Sequence, residues 1–303
     1  MTSDLRPGRA RPALAAAVTV VLWASAFVFI RSAGADFSPG ALALGRLFSG
    51  SVVLVTILLM AGHGPPPRST WRGIVVSGLL WFAVYMVALN WAEQHLDAGT
   101  AALVINTGPV LIALLGGFFL GEGFPIRLMA GIAVSFTGAA VVGMSSSAGA
   151  ATLLGVALCV IAAAAWAVAV LVQKPALVQG SALQVTTGGC VVGTIACLPF
   201  AGQLLEEAAA APLSATLSLI YLGVFPTAIA FTTWAYALAR MTAGQVGATT
   251  YAVPALVVVL AWIVLGEVPG PLALAGGVLC LGGVAITRWR PGRARRSSPE
   301  PTD

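Results

Sequence analysis

Long runs of apolar residues alternate with short polar breaks along almost the whole chain of 303 residues. We predict ten apolar helices of about 20 residues each, the length that crosses about 30 Å of hydrocarbon at about 1.5 Å per residue. Their approximate bounds are 13–31, 40–61, 73–92, 98–120, 126–144, 152–173, 183–204, 214–237, 244–265 and 271–289. The breaks contain turn-forming residues, such as Pro269-Gly270-Pro271, which favour a change of direction between helices.

The composition indicates that the bilayer is the solvent for this chain. Hydrophobic residues make up 59% of the sequence, charged residues 8%, and the mean hydropathy is +0.97. A soluble domain has roughly 25% charged residues, so a soluble fold is excluded. The four cysteines lie in apolar runs without the spacing of a metal pair or a disulfide framework, so we expect no cofactor and no metal. The sequence also lacks an ATP-binding Walker loop and the HExxH and GxSxG motifs, so we do not expect an enzyme.

A hairpin of two helices occurs twice, at 106–142 and at 251–287. Three features align at an offset of 145 residues: Pro109 with Pro254, Leu120-Gly121-Glu122 with Leu265-Gly266-Glu267, and Gly131 with Gly276. Two more align at an offset of 143 residues: Trp23 with Trp166, and Arg31 with Lys174. We therefore predict two repeated units, 13–144 and 152–289, between an N-terminal segment 1–12 and a basic tail 290–303.

Five helices per unit have a topological consequence. An odd number of crossings starts the second unit on the opposite side of the membrane, so the two repeats are inverted. The fold class we predict is an all-α polytopic membrane protein with ten transmembrane helices as two inverted five-helix repeats. Such pairs occur in secondary transporters, where they exchange conformations during alternating access.

The basic residues predict the orientation. With the N-terminus in the cytoplasm, thirteen of the fifteen lysine and arginine residues fall on the cytoplasmic side. The positive-inside rule then places both termini in the cytoplasm, with the basic tail near anionic membrane lipid. Because the basic residues lie in loops and in the tail rather than on one face, we do not expect nucleic-acid binding.

Three features resemble the EamA family of the drug/metabolite transporter superfamily: Trp23-Ala24 followed by Phe27, Arg46 early in the second helix, and the repeated Leu-Gly-Glu hairpin. The resemblance covers about residues 13–290. It implies a carrier with a central cavity lined by helices one, three, four, six, eight and nine, with helices five and ten at the periphery. It is strongest to bacterial amino-acid exporters, including those for aromatic amino acids, which implies a location in the bacterial inner membrane and no obligate protein partner.

Aromatic and amide residues within the spans are the candidate substrate contacts. Tryptophan and tyrosine at mid-bilayer need a polar partner or a wet cavity. We expect these residues to line the cavity and to bind a small-molecule substrate: Trp23, Tyr85, Asn106, Trp166, Trp234 and Tyr251. Plain helix packing is the alternative for the aromatic residues.

Two prolines and one arginine complete the candidates. Pro109 and Pro254 are expected to bend their helices and shape the cavity, and simple packing kinks are the alternative. Arg46 is either satisfied by carbonyl groups of neighbouring helices or acts as a carboxylate anchor or gate, because a basic side chain inside the bilayer is costly.

Other charged residues receive structural roles at this stage. Arg31 and Lys174 lie at matching helix ends, where a cation favours the helix dipole. Glu122 and Glu267 are expected to cap turns, with proton coupling as the alternative. Because no acidic residue lies in the middle of a span, facilitated transport and proton antiport both stay open.

The leading hypothesis is a secondary transporter that exports amino acids or related metabolites. A carrier of drugs or of other metabolites is the alternative within transport. A membrane enzyme and a passive channel are the alternatives from other classes of protein.

Overall fold

The structure is a computed structural model, and it describes residues 7–119, 126–143, 150–241, 246–247 and 249–288. Within these ranges every regular element is a helix, and none is a strand. This agrees with the apolar composition, because a helix satisfies its own backbone hydrogen bonds in lipid. Residues 1–6, Glu122 and the basic tail 290–303 lie outside the described residues.

The described residues of the first half form seven α-helices: α1 Pro7–Ala33, α2 Pro39–Met60, α3 Trp71–Ser77, α4 Tyr85–Ala92, α5 Ala98–Ile105, α6 Gly108–Phe119 and α7 Ile126–Gly143. A 3-10 turn, Arg68–Thr70, precedes α3, and a π-helical segment, Gly78–Val84, joins α3 to α4. The stretch Arg68–Ala92 is therefore one continuous helical rod.

Among the described residues of the second half, seven further α-helices follow: α8 Ala150–Gln179, α9 Ala182–Cys197, α10 Ala201–Ala210, α11 Leu213–Leu222, α12 Ala230–Arg240, α13 Ala252–Leu265 and α14 Pro271–Arg288. A 3-10 turn, Leu198–Phe200, joins α9 to α10, and a π-helical segment, Gly223–Ile229, joins α11 to α12.

In the part of the chain that the structure describes, six helical segments are long and apolar enough to cross a membrane: Arg11–Ala33, Pro39–Met60, Arg68–Ala92, Ala150–Gln179, Ala182–Ala210 and Leu213–Arg240. Shorter apolar helices lie at Ala98–Ile112, Met129–Gly138, Ala252–Leu265 and Pro271–Gly283. The prediction of an all-helical, polytopic membrane protein is confirmed at this level.

The spans that contain Pro109 and Pro254 are interrupted rather than bent. Two-residue turns precede α6 and α13: Asn106-Thr107 and Thr250-Tyr251. Each proline falls in the first turn of the helix that follows, where a missing N–H costs no helical hydrogen bond. The structure therefore differs from a continuous helix with a proline kink, because the helical hydrogen bonding stops just before the proline.

The two π-helical segments are seven residues long and lie 145 residues apart, the spacing of the repeated hairpins. Gly78 packs against α9, where an added Cβ would lie 2.8 Å from the carbonyl oxygen of Gly189. Gly223 packs against α2, where an added Cβ would lie 2.5 Å from the carbonyl oxygen of Arg46. Each π-helical segment thus contacts a helix of the other half, at a distance that only glycine permits.

Phe82 and Thr227 occupy matching positions in the two π-helical segments, because they lie 145 residues apart. The ring of Phe82 packs over Gly189, and its Cβ and backbone pack over Gly193; we call these residues with Gly78 the apolar joint. Thr227 packs over Gly50 and hydrogen-bonds to Arg46, and we call these residues with Gly223 the polar joint. Arg46 and Gly50 lie 143 residues before Gly189 and Gly193, so the two joints correspond residue by residue.

The last helices of the two halves, α7 and α14, pack closely against each other. A Cβ added to Gly138 of α7 would lie 2.5 Å from the carbonyl oxygen of Gly276 in α14. Glycine at this contact lets two helix backbones approach closely within a membrane. The central cavity described below is lined by other helices.

Candidate functional site

A narrow cavity of about 40 Å³ lies at the centre of the helices, between the two halves. Its walls are mostly apolar and aromatic, with a few polar groups among them. The lining comprises Trp23, Ala26, Phe27, Ile30, Arg46, Trp81, Tyr85, Met86, Leu89, Ile105, Asn106, Trp166, Phe231, Thr250 and Val253. These residues come from the six helices that the resemblance implied, together with Arg46 of α2.

Four of the six predicted contact residues line this cavity: Trp23, Tyr85, Asn106 and Trp166. Trp234 lies behind the lining, where its ring packs against Trp23 with centroids 4.9 Å apart. Tyr251 is half-buried beside Thr250, and it is Thr250 that reaches the lining. The structure thus brings the predicted contact residues to one region, with Trp234 and Tyr251 outside the cavity wall.

Five rings close the cavity at one end, and we call them the aromatic cluster: Trp23, Trp81, Trp166, Phe231 and Trp234. Neighbouring ring centroids lie 4.8 to 6.4 Å apart, mostly in edge-to-face or tilted arrangements. Such geometries stabilise aromatic pairs beyond their buried area. Trp81 and Phe231 were not among the predicted contacts.

The indole nitrogens of Trp23, Trp166 and Trp234 are buried, and none has a hydrogen-bond partner among the described residues. A buried N–H without an acceptor costs roughly 1–3 kcal/mol. The aromatic cluster therefore carries unused donors, which a substrate or a rearrangement of the helices can satisfy.

Arg46 is the charged group of the cavity, and only 3% of its surface is exposed. Its Nε and Nη2 donate to the hydroxyl oxygen of Thr227, at 3.4 and 3.3 Å. Its Nη1 is buried and has no hydrogen-bond partner among the described residues. Within that part of the chain, Arg46 is therefore held by one long-range hydroxyl contact and not by carbonyl groups of neighbouring helices.

Pro226 explains why Thr227 is available to Arg46. Proline has no N–H, so the carbonyl of Leu222, four residues earlier, loses its helical donor. The hydroxyl of Thr227 donates to that carbonyl at 2.8 Å. Its oxygen keeps lone pairs free, and these accept from the guanidinium of Arg46. The proline in the π-helical segment thus sets up the polar joint.

Asn106 adds a neutral polar group to the cavity. It is 2% exposed, and its Nδ2 donates to the carbonyl of Ala102 at 3.1 Å. Its Oδ1 is buried and has no partner among the described residues. An open amide oxygen accepts from an ammonium or hydroxyl group, while a guanidinium donates to a carboxylate. The cavity thus offers a donor for an anion, an acceptor for a cation, and aromatic walls.

A second cavity, of about 490 Å³, lies beyond Ile30, which lines both cavities. Arg31 Nε donates to Glu267 Oε1 at 2.9 Å, and Arg31 Nη1 donates to the carbonyl oxygen of Glu93 at 2.9 Å. We call this side the Arg31 end. The sequence suggested separate structural roles for Arg31 and Glu267, and the structure joins them in an ion pair between the two halves.

A third cavity, of about 520 Å³, lies at the opposite side, which we call the Arg240 end. His63, Tyr236 and Arg240 contribute to its lining. The guanidinium carbon of Arg240 lies 3.7 Å from the ring centroid of Tyr236, a cation–π contact. Phe231 and Trp234 of the aromatic cluster precede Tyr236 and Arg240 on α12.

Comparison with known proteins identifies the relatives of this chain. The EamA-like transporter family model matches residues 10–144 and again residues 153–289. A probable terminal-alkyne amino-acid exporter of Streptantibioticus cattleyicolor is 39% identical over 283 residues, which cover 93% of this chain and 95% of that protein. The uncharacterized transporter YdfC of Bacillus subtilis is 32% identical over 266 residues, which cover 88% and 87%. A solved crystal structure superposes with a TM-score of 0.63 at 22% identity, over 91% of this chain and 97% of its own, which shows a shared fold.

Proposed function

Because this chain belongs to the EamA-like transporter family, we propose that it exports amino acids or closely related small metabolites. The chain is a multi-pass membrane transporter, as the family and the apolar helices show. Its substrate, the direction of transport and the mechanism are our proposal. The observation that carries it is a buried arginine with an unpaired Nη1 in the wall of an aromatic cavity.

The proposed mechanism is alternating access by two inverted five-helix repeats, 13–144 and 152–289. Six long and four shorter apolar segments among the described residues support this proposal, because their sum equals the ten crossings it requires. The double family match and the two π-helical segments 145 residues apart support a duplicated unit. With five crossings each, two such units have opposite orientations, so they can rock about the central cavity.

We place the transporter in the bacterial inner membrane with both termini in the cytoplasm. Support comes from the bias of basic residues toward one side and from bacterial relatives that are transporters. In this orientation the Arg240 end faces the cytoplasm and the Arg31 end faces outward. The aromatic cluster then closes the cytoplasmic side of the cavity.

Arg46 is proposed to bind the carboxylate of the substrate. A guanidinium offers two parallel donors to a carboxylate, and such charge-assisted pairs are among the strongest hydrogen bonds. Asn106 Oδ1 and the faces of the aromatic rings are proposed to receive the ammonium group and the side chain. A zwitterion thereby satisfies both open polar groups of the cavity, and the amino-acid exporter among the relatives fits this chemistry.

The size of the cavity indicates a contracted state. About 40 Å³ holds only a few water molecules, whereas ligand pockets typically measure roughly 300–1,000 Å³. Helices must therefore separate before an amino acid enters. The interrupted helices before Pro109 and Pro254 are the proposed bend points, because their turns already lack continuous helical hydrogen bonds.

A carrier of drugs or of other metabolites is the second candidate. The aromatic cluster favours it, because such walls accept many apolar shapes. Arg46 argues against cationic drugs, since a buried arginine repels a cation. Competition between matched carboxylates and neutral analogues separates the two candidates.

The test is counterflow in proteoliposomes. Purified protein is reconstituted with the twenty common amino acids inside, and one labelled amino acid at a time is added outside without a pH gradient. We expect saturable uptake of at least one of them, and a loss of at least about tenfold in Arg46→Gln, because a hydrogen bond to a charged group contributes roughly 1.5–3 kcal/mol. Arg68→Gln, at an exposed position, is the matched control.

Other outcomes separate the alternatives. No uptake of any amino acid would remove the amino-acid assignment, and the assay would be repeated with drugs, nucleosides and sugars. Flux that does not saturate would indicate a channel instead of a carrier. Unchanged uptake in a folded Arg46→Gln variant would remove the proposed carboxylate site.

A further inference from the structure

Glu93 is a buried acid at the end of α4 that the proposed substrate site does not use. Only 2% of its surface is exposed, and both carboxylate oxygens are buried without a hydrogen-bond partner among the described residues. An ionised carboxylate in such a place loses its hydration without compensation, which is costly. In the sequence, Glu93 directly follows the apolar run predicted at 73–92.

The position of Glu93 links it to closure of the Arg31 end. Arg31 lies in the last turn of α1, and Glu267 lies just after α13. Their ion pair, at 2.9 Å, joins the two halves. The same guanidinium donates to the backbone carbonyl of Glu93, so three segments meet at one cation. Asn90, Glu93 and Glu267 all line the cavity of about 490 Å³ beside it. Separation of the halves at this end would break the ion pair and expose the carboxyl group of Glu93 to water.

Charged groups of both signs surround Glu93. Arg31 and Arg46 favour its ionised form, while Glu267 and Asp97 oppose it. Other titratable side chains nearby are Tyr85 of α4, Cys159 of α8, and His95, which lies in the same turn as Glu93. Burial outweighs the two arginines and raises the pKa of Glu93 well above its ordinary value. The contracted conformation therefore favours a neutral, protonated carboxyl group.

We propose that Glu93 is a proton-binding site whose occupation stabilises the closed Arg31 end of the transporter. The proposal rests on the alternating access described above. On closure, a hydronium ion of the outer cavity transfers a proton to the carboxylate: one O–H bond of the hydronium ion breaks, an O–H bond to the carboxylate forms, a water molecule remains, and the carboxyl group is neutral. On opening, a water molecule of the cavity accepts the proton as hydronium, and water hydrates the carboxylate.

The sign of the pH dependence follows from linkage. A group with a raised pKa in the closed state binds more protons there than in the open state, so acid favours closure. The stabilisation of the closed state is complete below the ordinary pKa of a glutamate, about 4.3. It is lost as the pH rises through the raised pKa of Glu93. An acidic exterior therefore favours the conformation that is closed at the Arg31 end.

Accessibility of one introduced thiol tests the proposal without a substrate. Ile30 is buried and lines both the outer and the central cavity, whereas Ala208 of α10 is exposed outside them. The native cysteines that the structure describes are all buried, so background labelling is low. Ile30→Cys and Ala208→Cys proteins in lipid nanodiscs are labelled with a bulky maleimide between about pH 5 and about pH 9, and the ratio of the two rates reports opening.

We expect the ratio to rise at least about tenfold over this range, because each unit of pKa difference changes the ratio of two conformations by up to tenfold. In Glu93→Gln the side chain stays neutral, so the ratio should stay low at every pH. His95→Gln and Glu206→Gln are controls that should keep the pH-dependent rise of the ratio. His95 tests a neighbouring titratable group, and Glu206 is an exposed acid on α10. The introduced thiol beside Arg31 is the same in every variant, so the titration of the thiol itself cancels when the variants are compared.

Two results would overturn the proposal: a flat ratio in the parent protein, or a rise that persists in Glu93→Gln. If Glu93→Gln does not fold, Glu93→Leu is a second neutral variant, and it should also be flat. Counterflow distinguishes this proposal from the proposed function. A pH-dependent ratio without amino-acid counterflow would retain the proton site and remove the substrate assignment, and the reverse result would remove only the proton site.

Discussion

The two joints between the halves have the same backbone arrangement and opposite chemistry. In the apolar joint, the ring of Phe82 covers Gly189 of α9, and its Cβ and backbone cover Gly193. In the polar joint, the matching position is Thr227, and the residue that matches Gly189 is Arg46. One joint is filled by an aromatic ring, whereas the other holds a cation that faces the central cavity.

This difference supports our proposal that the polar joint belongs to the substrate site. A glycine in each π-helical segment allows close packing against a helix of the opposite half, so the backbone contact is the same in both joints. Only the polar joint carries a buried charge, and a buried charge is expensive unless it is paired. The departure from symmetry at Arg46 is therefore a sign of function, because packing alone is satisfied by the apolar joint.

The largest effect on stability should come from the apolar joint. Phe82→Ala removes a fully buried ring and leaves a cavity, which should cost roughly 3 kcal/mol and lower the thermal midpoint by about 5 °C or more. A thiol-reactive dye reports unfolding, because Cys190 and Cys197 are buried. Phe48→Ala is the control, since Phe48 is 60% exposed on α2. Equal midpoints for the two variants would contradict a structural role of this joint.

Gly223→Ala should disturb the polar joint by steric contact. The new methyl group would meet the hydroxyl of Ser49 and the backbone of Arg46, so helix α2 must move, at a cost of about 1–3 kcal/mol. Gly202→Ala is the matched control, because a Cβ there has no neighbour within 4 Å. Thermal midpoints of both variants decide the matter, and an unchanged midpoint in Gly223→Ala would show that the joint is loosely packed.

Arg46→Lys keeps the charge of the polar joint and removes the planar fork. Lysine presents a point charge in place of two parallel donors, so we expect the KM for the transported amino acid to rise about tenfold. The measurement is the concentration dependence of counterflow, with Arg68→Lys as the exposed control. A KM equal to that of the parent protein would show that charge alone is recognised.

Thr227→Val should have the smallest effect of the series. The change keeps the shape and removes the hydroxyl that donates to Leu222 and accepts from Arg46. One net hydrogen bond contributes about 1 kcal/mol, so the KM should rise severalfold and the thermal midpoint should fall slightly. Thr227→Ser restores the hydroxyl and should restore both quantities. If serine behaves like valine at this position, the methyl group matters and not the hydrogen bond.

Much of the architecture could be predicted because it depends on local patterns. Apolar runs of membrane-spanning length predict helices, and the repeated Leu-Gly-Glu hairpin reveals the duplication that the double family match also shows. Mid-span aromatic residues such as Trp23 and Trp166 could be predicted to line the cavity, because unpaired indoles are costly in lipid.

The remaining features depend on contacts between distant residues. The ion pair of Arg31 with Glu267 joins positions 236 residues apart, and no spacing rule connects them. The burial of Glu93 depends on how α1 and the turn after α13 pack around it. The π-helical segments leave no shared pattern in the sequence, since the first has Trp81 where the second has Pro226.

The central claim is that Arg46 of the polar joint recognises a carboxylate. Its most direct test compares each transported amino acid with its methyl ester as inhibitors of counterflow, in the parent protein and in Arg46→Gln. We predict that the parent protein prefers the free acid by at least about tenfold, and that the preference falls to within about twofold in Arg46→Gln. A parent protein that does not discriminate, or an Arg46→Gln variant that still does, would contradict the account.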